Sequence, residues 1–452
     1  MKNFLIALLL FAANSALLAQ DYTLKSPDNN LEIKVATGRK ITYEVWHKGK
    51  KLMDTSPINM VFSNGITLGK DKVTAANTET VNQPIVQVMG KNNSITEHYN
   101  QLRLDFDKGY SLVVRAQNEG VAYRFVTNFK DKEVHVISEQ ASFNFADDQE
   151  VIFPEGDKDL WSWERAYDTY SSLNSIDSTK FAITPTLFIN PHNRTHVAVA
   201  EADLWDYPGM YVQHGRGYKV KGMYAHYPKK VSDPDDVYKY HRVLEREAFL
   251  AKTTGKREYP WRVVIVAEKA TQLLNNELIY KLGRPQEIKK TDYIKPGKNA
   301  WEWWHDAILD TDKIKSGPEN LSFDLYKVYV DFAARNKLEY VTLDAGWKWD
   351  YLKELCDYAR AKNVNILVWT FINLPVEDPG ILDKFKAAGA VGVKVDLIER
   401  DDQIAMQWQE KFVKECAKRE LLVVLHGAPK PTGWHRTYPN IVSYEAVRGG
   451  EC

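Results

Sequence analysis

The sequence predicts a multidomain protein in which a large all-β sandwich is followed by a (β/α)8 barrel of the TIM type, here incomplete with about six strands. Two patterns carry that prediction. From Leu31 to about Lys269 short segments alternate apolar and polar residues with turn residues between them, and from about Trp301 onward short apolar strands alternate with helix-length segments. The 452 residues, 44% of them hydrophobic, are enough for two or three cores.

Before the sandwich, Lys2 is followed by an apolar run from Phe4 to Ala13 and a small-residue stretch from Asn14 to Ala19. A basic start, a short apolar centre and small residues form the pattern of a secretory signal peptide. Residues 1–20 are therefore set apart from the fold, and the protein is expected to be secreted, most simply to a periplasm. The run is shorter than the roughly 20 apolar residues of a membrane-spanning helix, and no later stretch approaches that length.

Residues 21–275 form the expected sandwich domain. Leu31, Ile33 and Val35 alternate, as do Ile41, Tyr43 and Val45, with Lys48-Gly49-Lys50 as a turn. Gly120 to Phe125 and His196 to Ala200 repeat the period of two. Residues 276–298 read as a linker, and 299–452 as a partial barrel. Its strands are expected at Ala300–Trp304, Tyr340–Leu343, Ile366–Thr370, Gly392–Val395, Leu421–Leu425 and Ile441–Tyr444, with helices such as Phe323–Arg335 and Gln403–Glu420 between them. A whole barrel takes about 250 residues, so the chain reads as truncated within it.

Lys plus Arg and Asp plus Glu both number 60, which gives no basic surface for nucleic acid or an anionic membrane. The three cysteines, Cys356, Cys416 and Cys452, make no disulfide framework. Thirteen tryptophans supply aromatic faces that stack on sugar rings as well as fill cores.

Catalytic residues of such barrels lie at the carboxyl ends of strands. The fourth strand reads Gly392-Val393-Lys394-Val395-Asp396 and delivers a carboxylate to the mouth two residues after a lysine. An aspartate there can attack an anomeric carbon while the lysine binds a sugar hydroxyl and keeps it ionised; it can equally cap the next helix. After the sixth strand, Glu445 and Glu451 stand six residues apart around Arg448 and a glycine pair. They can converge on a hard cation such as Ca²⁺ or remain exposed loop carboxylates.

Several segments resemble glycoside hydrolase family 97. They are Glu201-Ala202-Asp203-Leu204 with Tyr207-Pro208-Gly209-Met210-Tyr211, then Gly392 to Asp396, then Pro431-Thr432-Gly433 with Arg436 to Asn440, and last Glu445 to Gly449. The resemblance implies a β-supersandwich, a catalytic barrel and a further β domain. It also implies roles: Asp396 as nucleophile, Glu451 as general acid/base, and Glu201, Glu445 and Glu451 as Ca²⁺ ligands. Asp344, Lys394, His426 and Trp304 are expected to bind substrate. The family contains inverting members, which lack the fourth-strand aspartate and carry a glutamate after the fifth-strand histidine. Here Asp396 is present and Gly427 follows His426, the retaining pattern. The resemblance thus implies an exo-acting, Ca²⁺-dependent α-galactosidase on oligosaccharide or polysaccharide-derived α-galactosides. The alternatives are a β-L-arabinopyranosidase, an α-glucosidase of the inverting type, or a non-catalytic carbohydrate-binding fragment.

Overall fold

The computed structural model describes residues 20–160, 165–234, 239, 241–446 and 448–449. Two antiparallel sheets, of nine and ten strands, make up the N-terminal part, and a six-stranded parallel sheet the C-terminal part. The apolar leader segment lies outside the described residues. Among the described residues, no helix is long and apolar enough to cross a membrane.

Alternation dictates the sandwich. Leu31, Ile33 and Val35 of the strand Leu31–Thr37 are buried while Glu32, Lys34 and Ala36 are partly exposed, so one face turns to the core. That strand pairs with Ile41–His47, Leu31 opposite His47. His196–Ala202 instead is buried along its whole length, between Thr186–Ile189 and Trp261–Ala267. Gln20, set before the fold on sequence grounds, already pairs with Thr37.

The segment expected as a linker is not a loose one. It contains the short helix Leu278–Leu282, whose Leu278 and Leu282 pack with Ala198, Ala200 and Val263 on the outer face of the sandwich. Leucines four apart form one apolar stripe, and the sheet offers an apolar face to cover it.

The six parallel strands are Asn299–Trp301, Tyr340–Leu343, Asn365–Phe371, Gly392–Asp396, Leu422–Leu425 and Ile441–Tyr444, hydrogen-bonded in chain order. They form a curled half-barrel. Helices cover the outside. In Phe323–Arg335, Leu325, Tyr326, Tyr329, Val330 and Ala333 are buried, and the Ser322 hydroxyl caps the first turn by accepting from the Leu325 amide at 3.2 Å. Gln403–Lys418 is capped likewise by Asp402. The first strand stops at Trp301 and not at Trp304: Glu302 folds inward to accept from the Tyr326 hydroxyl, and Trp303–His305 is a 3-10 turn ended by left-handed Asp306.

The segment from Glu201 to Tyr211 joins the two parts. The Asp203 amide donates to the Thr432 carbonyl at 2.7 Å, the Trp434 indole to the Leu204 carbonyl at 2.7 Å, and the Gly209 amide to the Asp401 carbonyl at 2.8 Å. Trp205 stacks on Trp434, centroids 4.3 Å apart and planes 9° apart. A Cβ at Gly209 would stand 2.7 Å from Asp401 Oδ2 and 3.0 Å from Lys430 Nζ, so a side chain there would push both of these buried groups aside.

Candidate active site

Parity on the parallel strands builds the site. Residues two apart on a strand share a face, and register aligns neighbours, so Trp301, Trp369, Lys394 and His426 all look into the half-barrel. Trp301, Lys394 and His426 line a cavity of about 610 Å³ on that inner face. Asp396 stands one pleat above Lys394, at the strand end.

Its carboxylate is held at both oxygens. Oδ1 accepts from the Leu397 amide at 2.7 Å, and Oδ2 accepts from the Trp369 indole at 3.1 Å. Lys394 Nζ is 3.8 Å from Oδ2. Burial raises the Asp396 pKa above the ordinary aspartate range, against the pull of Lys394 and Trp369.

Lys394 is committed mainly to another partner. Its Nζ meets Asp344 Oδ2 at 2.5 Å, beneath the Trp301 ring at 4.3 Å. The Trp301 indole donates to the same oxygen at 2.6 Å. Asp344 Oδ1 accepts from the Ala345 amide at 2.7 Å, and the Asp344 amide donates to Glu302 Oε1 at 2.7 Å. Asp344, Lys394 and Trp301 thus form one rigid unit beside Asp396. The ring of His426 packs against Trp301, and its Nδ1 is 3.1 Å from Glu445 Oε1 and 3.7 Å from Asp396 Oδ2. Burial, then Lys394, lowers the His426 pKa to about 3, so the imidazole is neutral.

Gly427 is the tightest point of the site. Its φ is +48°, its amide donates to Glu445 Oε2 at 2.8 Å, and a Cβ there would lie 2.7 Å from Asp396 Oδ1 and 2.8 Å from the Leu397 nitrogen. Any larger residue collides with the carboxylate.

Two expected residues are placed elsewhere. Trp304 is 57% exposed on its 3-10 turn; Trp301, one turn earlier, is the tryptophan that touches Asp344. Glu201 is buried in the junction between the two parts. Its Oε2 meets Arg262 Nη1 at 2.6 Å, and its Oε1 meets Lys430 Nζ at 2.7 Å and the Met210 amide at 2.7 Å. Burial alone would raise its pKa, yet Lys430 and Arg262 hold it below the ordinary range. Both oxygens of Glu201, expected as a Ca²⁺ ligand, are thus taken up by cations in this structure. Among the described residues no three His, Cys, Asp or Glu side chains converge on a metal position. Glu451 lies outside the described residues.

Trp369 was not singled out from sequence, and Glu302 only as part of the Trp301 to His305 cluster. Trp369 shares the inward parity of Lys394, its register partner, but sits in an apolar run that reads as core. Glu302 is buried with Oε2 unpartnered, and burial raises its pKa to about 7, against hydrogen bonds from Tyr326 and the Asp344 amide.

Family models agree with the two parts. Residues 24–285 match the glycosyl hydrolase 97 N-terminal model and residues 303–447 the glycoside hydrolase 97 model. A retaining α-galactosidase of Bacteroides thetaiotaomicron is 33% identical over 475 aligned positions, which take in 100% of this chain and 71% of that protein. A probable retaining α-galactosidase of Streptomyces bingchenggensis is 26% identical, over 94% of this chain and 64% of its own length. The crystal structure of a β-arabinopyranosidase superposes with a TM-score of 0.82 at 22% identity, over 96% of this chain and 71% of that one. With both halves matched and a relative at 33% identity aligned along the whole of this chain, the chain belongs to glycoside hydrolase family 97 and is a glycoside hydrolase.

Proposed function

We propose that this chain acts in a retaining, exo-acting α-galactosidase, with Asp396 as the nucleophile. The observation that carries the reading is the contact at Gly427. With a Cβ at 427 placed 2.7 Å from Asp396 Oδ1, a water-activating glutamate at 427 and a nucleophile at 396 exclude each other. A chain with Asp396 and Gly427 is therefore built for the double displacement.

In the first step an Asp396 oxygen bonds to the anomeric carbon as the glycosidic C–O bond breaks, and Glu451 gives its proton to the leaving oxygen. In the second, water adds to that carbon, Glu451 takes its proton, and the ester to Asp396 breaks. The Trp369 and Leu397 N–H groups aim the carboxylate. Neutral His426 adds no charge beside it. The Asp344, Lys394 and Trp301 unit supplies fixed polar groups for the sugar's hydroxyls. Glu445 and Glu451 would hold Ca²⁺, which would supply positive charge at the site; Glu201, paired with Arg262 and Lys430, would join them only by exchanging those partners.

The sugar is proposed on the likeness to the 33% identical galactosidase, and the apolar leader supports work outside the cytoplasm. A panel of p-nitrophenyl glycosides tests the assignment. The α-galactoside should be cleaved fastest, ahead of the β-L-arabinopyranoside and far ahead of the α-glucoside. Preference for the α-glucoside overturns the reading.

A further inference from the structure

Trp301 looks into the half-barrel, so Glu302, next in the chain, faces the covering helix Phe323–Arg335. The residue is 2% exposed. Burying a carboxyl costs free energy that a cation usually offsets, and among the described residues no lysine or arginine pairs with Glu302. Oε2 is sealed without a partner. The buried group therefore acts through Oε1, which accepts from the Tyr326 hydroxyl at 2.7 Å and from the Asp344 amide at 2.7 Å.

The second of these contacts reaches the site. Asp344 stands one residue past Leu343 and Val368, the last register pair of its strand, so the ladder has ended and its amide needs an acceptor from elsewhere. The neighbouring strand has stopped at Trp301, and Glu302 Oε1 takes the place of a backbone carbonyl. Asp344 Oδ2 in turn receives Lys394 Nζ at 2.5 Å and the Trp301 indole at 2.6 Å. One buried oxygen thus fixes the main chain that carries Asp344, and because Glu302 follows Trp301 directly it locks the two strand ends against each other. The nucleophile is held separately, by the Leu397 amide and the Trp369 indole.

We infer that Glu302 is a positioning residue of the glycosidase: through the Asp344 amide it holds Asp344, Lys394 and Trp301 where the sugar's hydroxyls meet them, and it serves substrate binding more than the chemical step. The inference rests on the reading of those three residues as the sugar-binding unit. Burial pushes the Glu302 pKa up to about 7, so on the acid side of that value a glutamine copies its neutral form and keeps an oxygen for both donors.

The test measures KM and kcat of the intact chain, on the acid side of that pKa, with the aryl glycoside it cleaves fastest. Glu302→Leu should raise KM about tenfold, the worth of one hydrogen bond to the substrate, and leave kcat within about threefold, because binding and not chemistry is disturbed. Glu302→Gln should restore the wild-type KM. Glu302→Asn, whose oxygen is withdrawn by one methylene, should behave as Glu302→Leu and replaces it if that variant does not fold. Tyr326→Phe removes the other donor alone and should lower the urea midpoint with KM unchanged. A fall in kcat at unchanged KM in Glu302→Leu and Glu302→Asn, the mark of enzyme lost to misfolding, overturns the inference, as does a Glu302→Gln enzyme with KM raised as far. Asp344→Asn separates the two readings. KM raised there but not in the Glu302 variants refutes the positioning role alone, whereas KM unchanged there refutes the sugar-binding unit and the inference with it. Calorimetric Kd values for methyl α-galactoside read the same shifts without turnover, and no binding by the wild type counts against the sugar-binding unit.

Discussion

Adding a single methyl group at Gly427 should disable catalysis while leaving the protein folded. The new Cβ would sit 2.7 Å from Asp396 Oδ1, where ordinary contact begins at 3.4 Å, so the oxygen must retreat by the difference of 0.7 Å. The Leu397 nitrogen, at 2.8 Å, blocks retreat of the other kind, because it is backbone and donates to that same oxygen. A nucleophile misplaced by about 1 Å costs on the order of 10²-fold in rate. The positive φ adds about 1–2 kcal/mol of strain for alanine, a fraction of the stability of a typical domain. Gly427→Ala should thus lower kcat on p-nitrophenyl α-galactoside about a hundredfold while its urea unfolding midpoint shifts modestly. In an Asp396→Ala background the same substitution should cost less stability, since one of the two clashing groups is gone. A Gly427→Ala enzyme within threefold of wild-type kcat would refute the steric argument.

Asp396→Ala should abolish hydrolysis, and azide should restore turnover with a β-glycosyl azide as product; an α-azide would remove Asp396 from the nucleophile's role. Glu201→Gln leaves Arg262 and Lys430 short of a buried partner and should cost about 3 kcal/mol in urea unfolding; unchanged stability with weakened Ca²⁺ binding would show that Glu201 is a metal ligand after all. For Glu302 the folded pKa, about 7, lies above the ordinary glutamate value, so its contribution to stability falls as pH rises from about 4.5 through 7. Glu302→Gln should remove roughly 2–3 kcal/mol of that decline between pH 5 and pH 8, and unfolding curves with an unchanged pH dependence would contradict it.

The strands read from sequence in both parts were legible because their burial follows period two or a short apolar run, whereas exposed strands such as Val73–Val86 carry neither signal; five of the six parallel strands lie within a residue or so of where the pattern put them. The first was misjudged at its end, because nothing local in Trp301-Glu302-Trp303-Trp304 reveals that Glu302 turns inward to Tyr326, 24 residues on. Lys394 and Asp396 were legible from parity, since residues two apart on a strand share a face. That Lys394 would pair most closely with Asp344, 50 residues earlier, was not. Glu201 shows the limit most clearly. Its segment marks the family, but its partners lie 61 and 229 residues away on different parts of the fold, and a lone glutamate does not announce whether it faces a metal, an arginine or a lysine.

The central claim, that Asp396 opens a double displacement, is tested most directly by the anomeric configuration of the first product. Two displacements at one carbon restore its configuration. Proton NMR of the anomeric signals during the first minutes of p-nitrophenyl α-galactoside cleavage, before mutarotation, should show α-galactose forming first; β-galactose as the first-formed anomer would contradict the account.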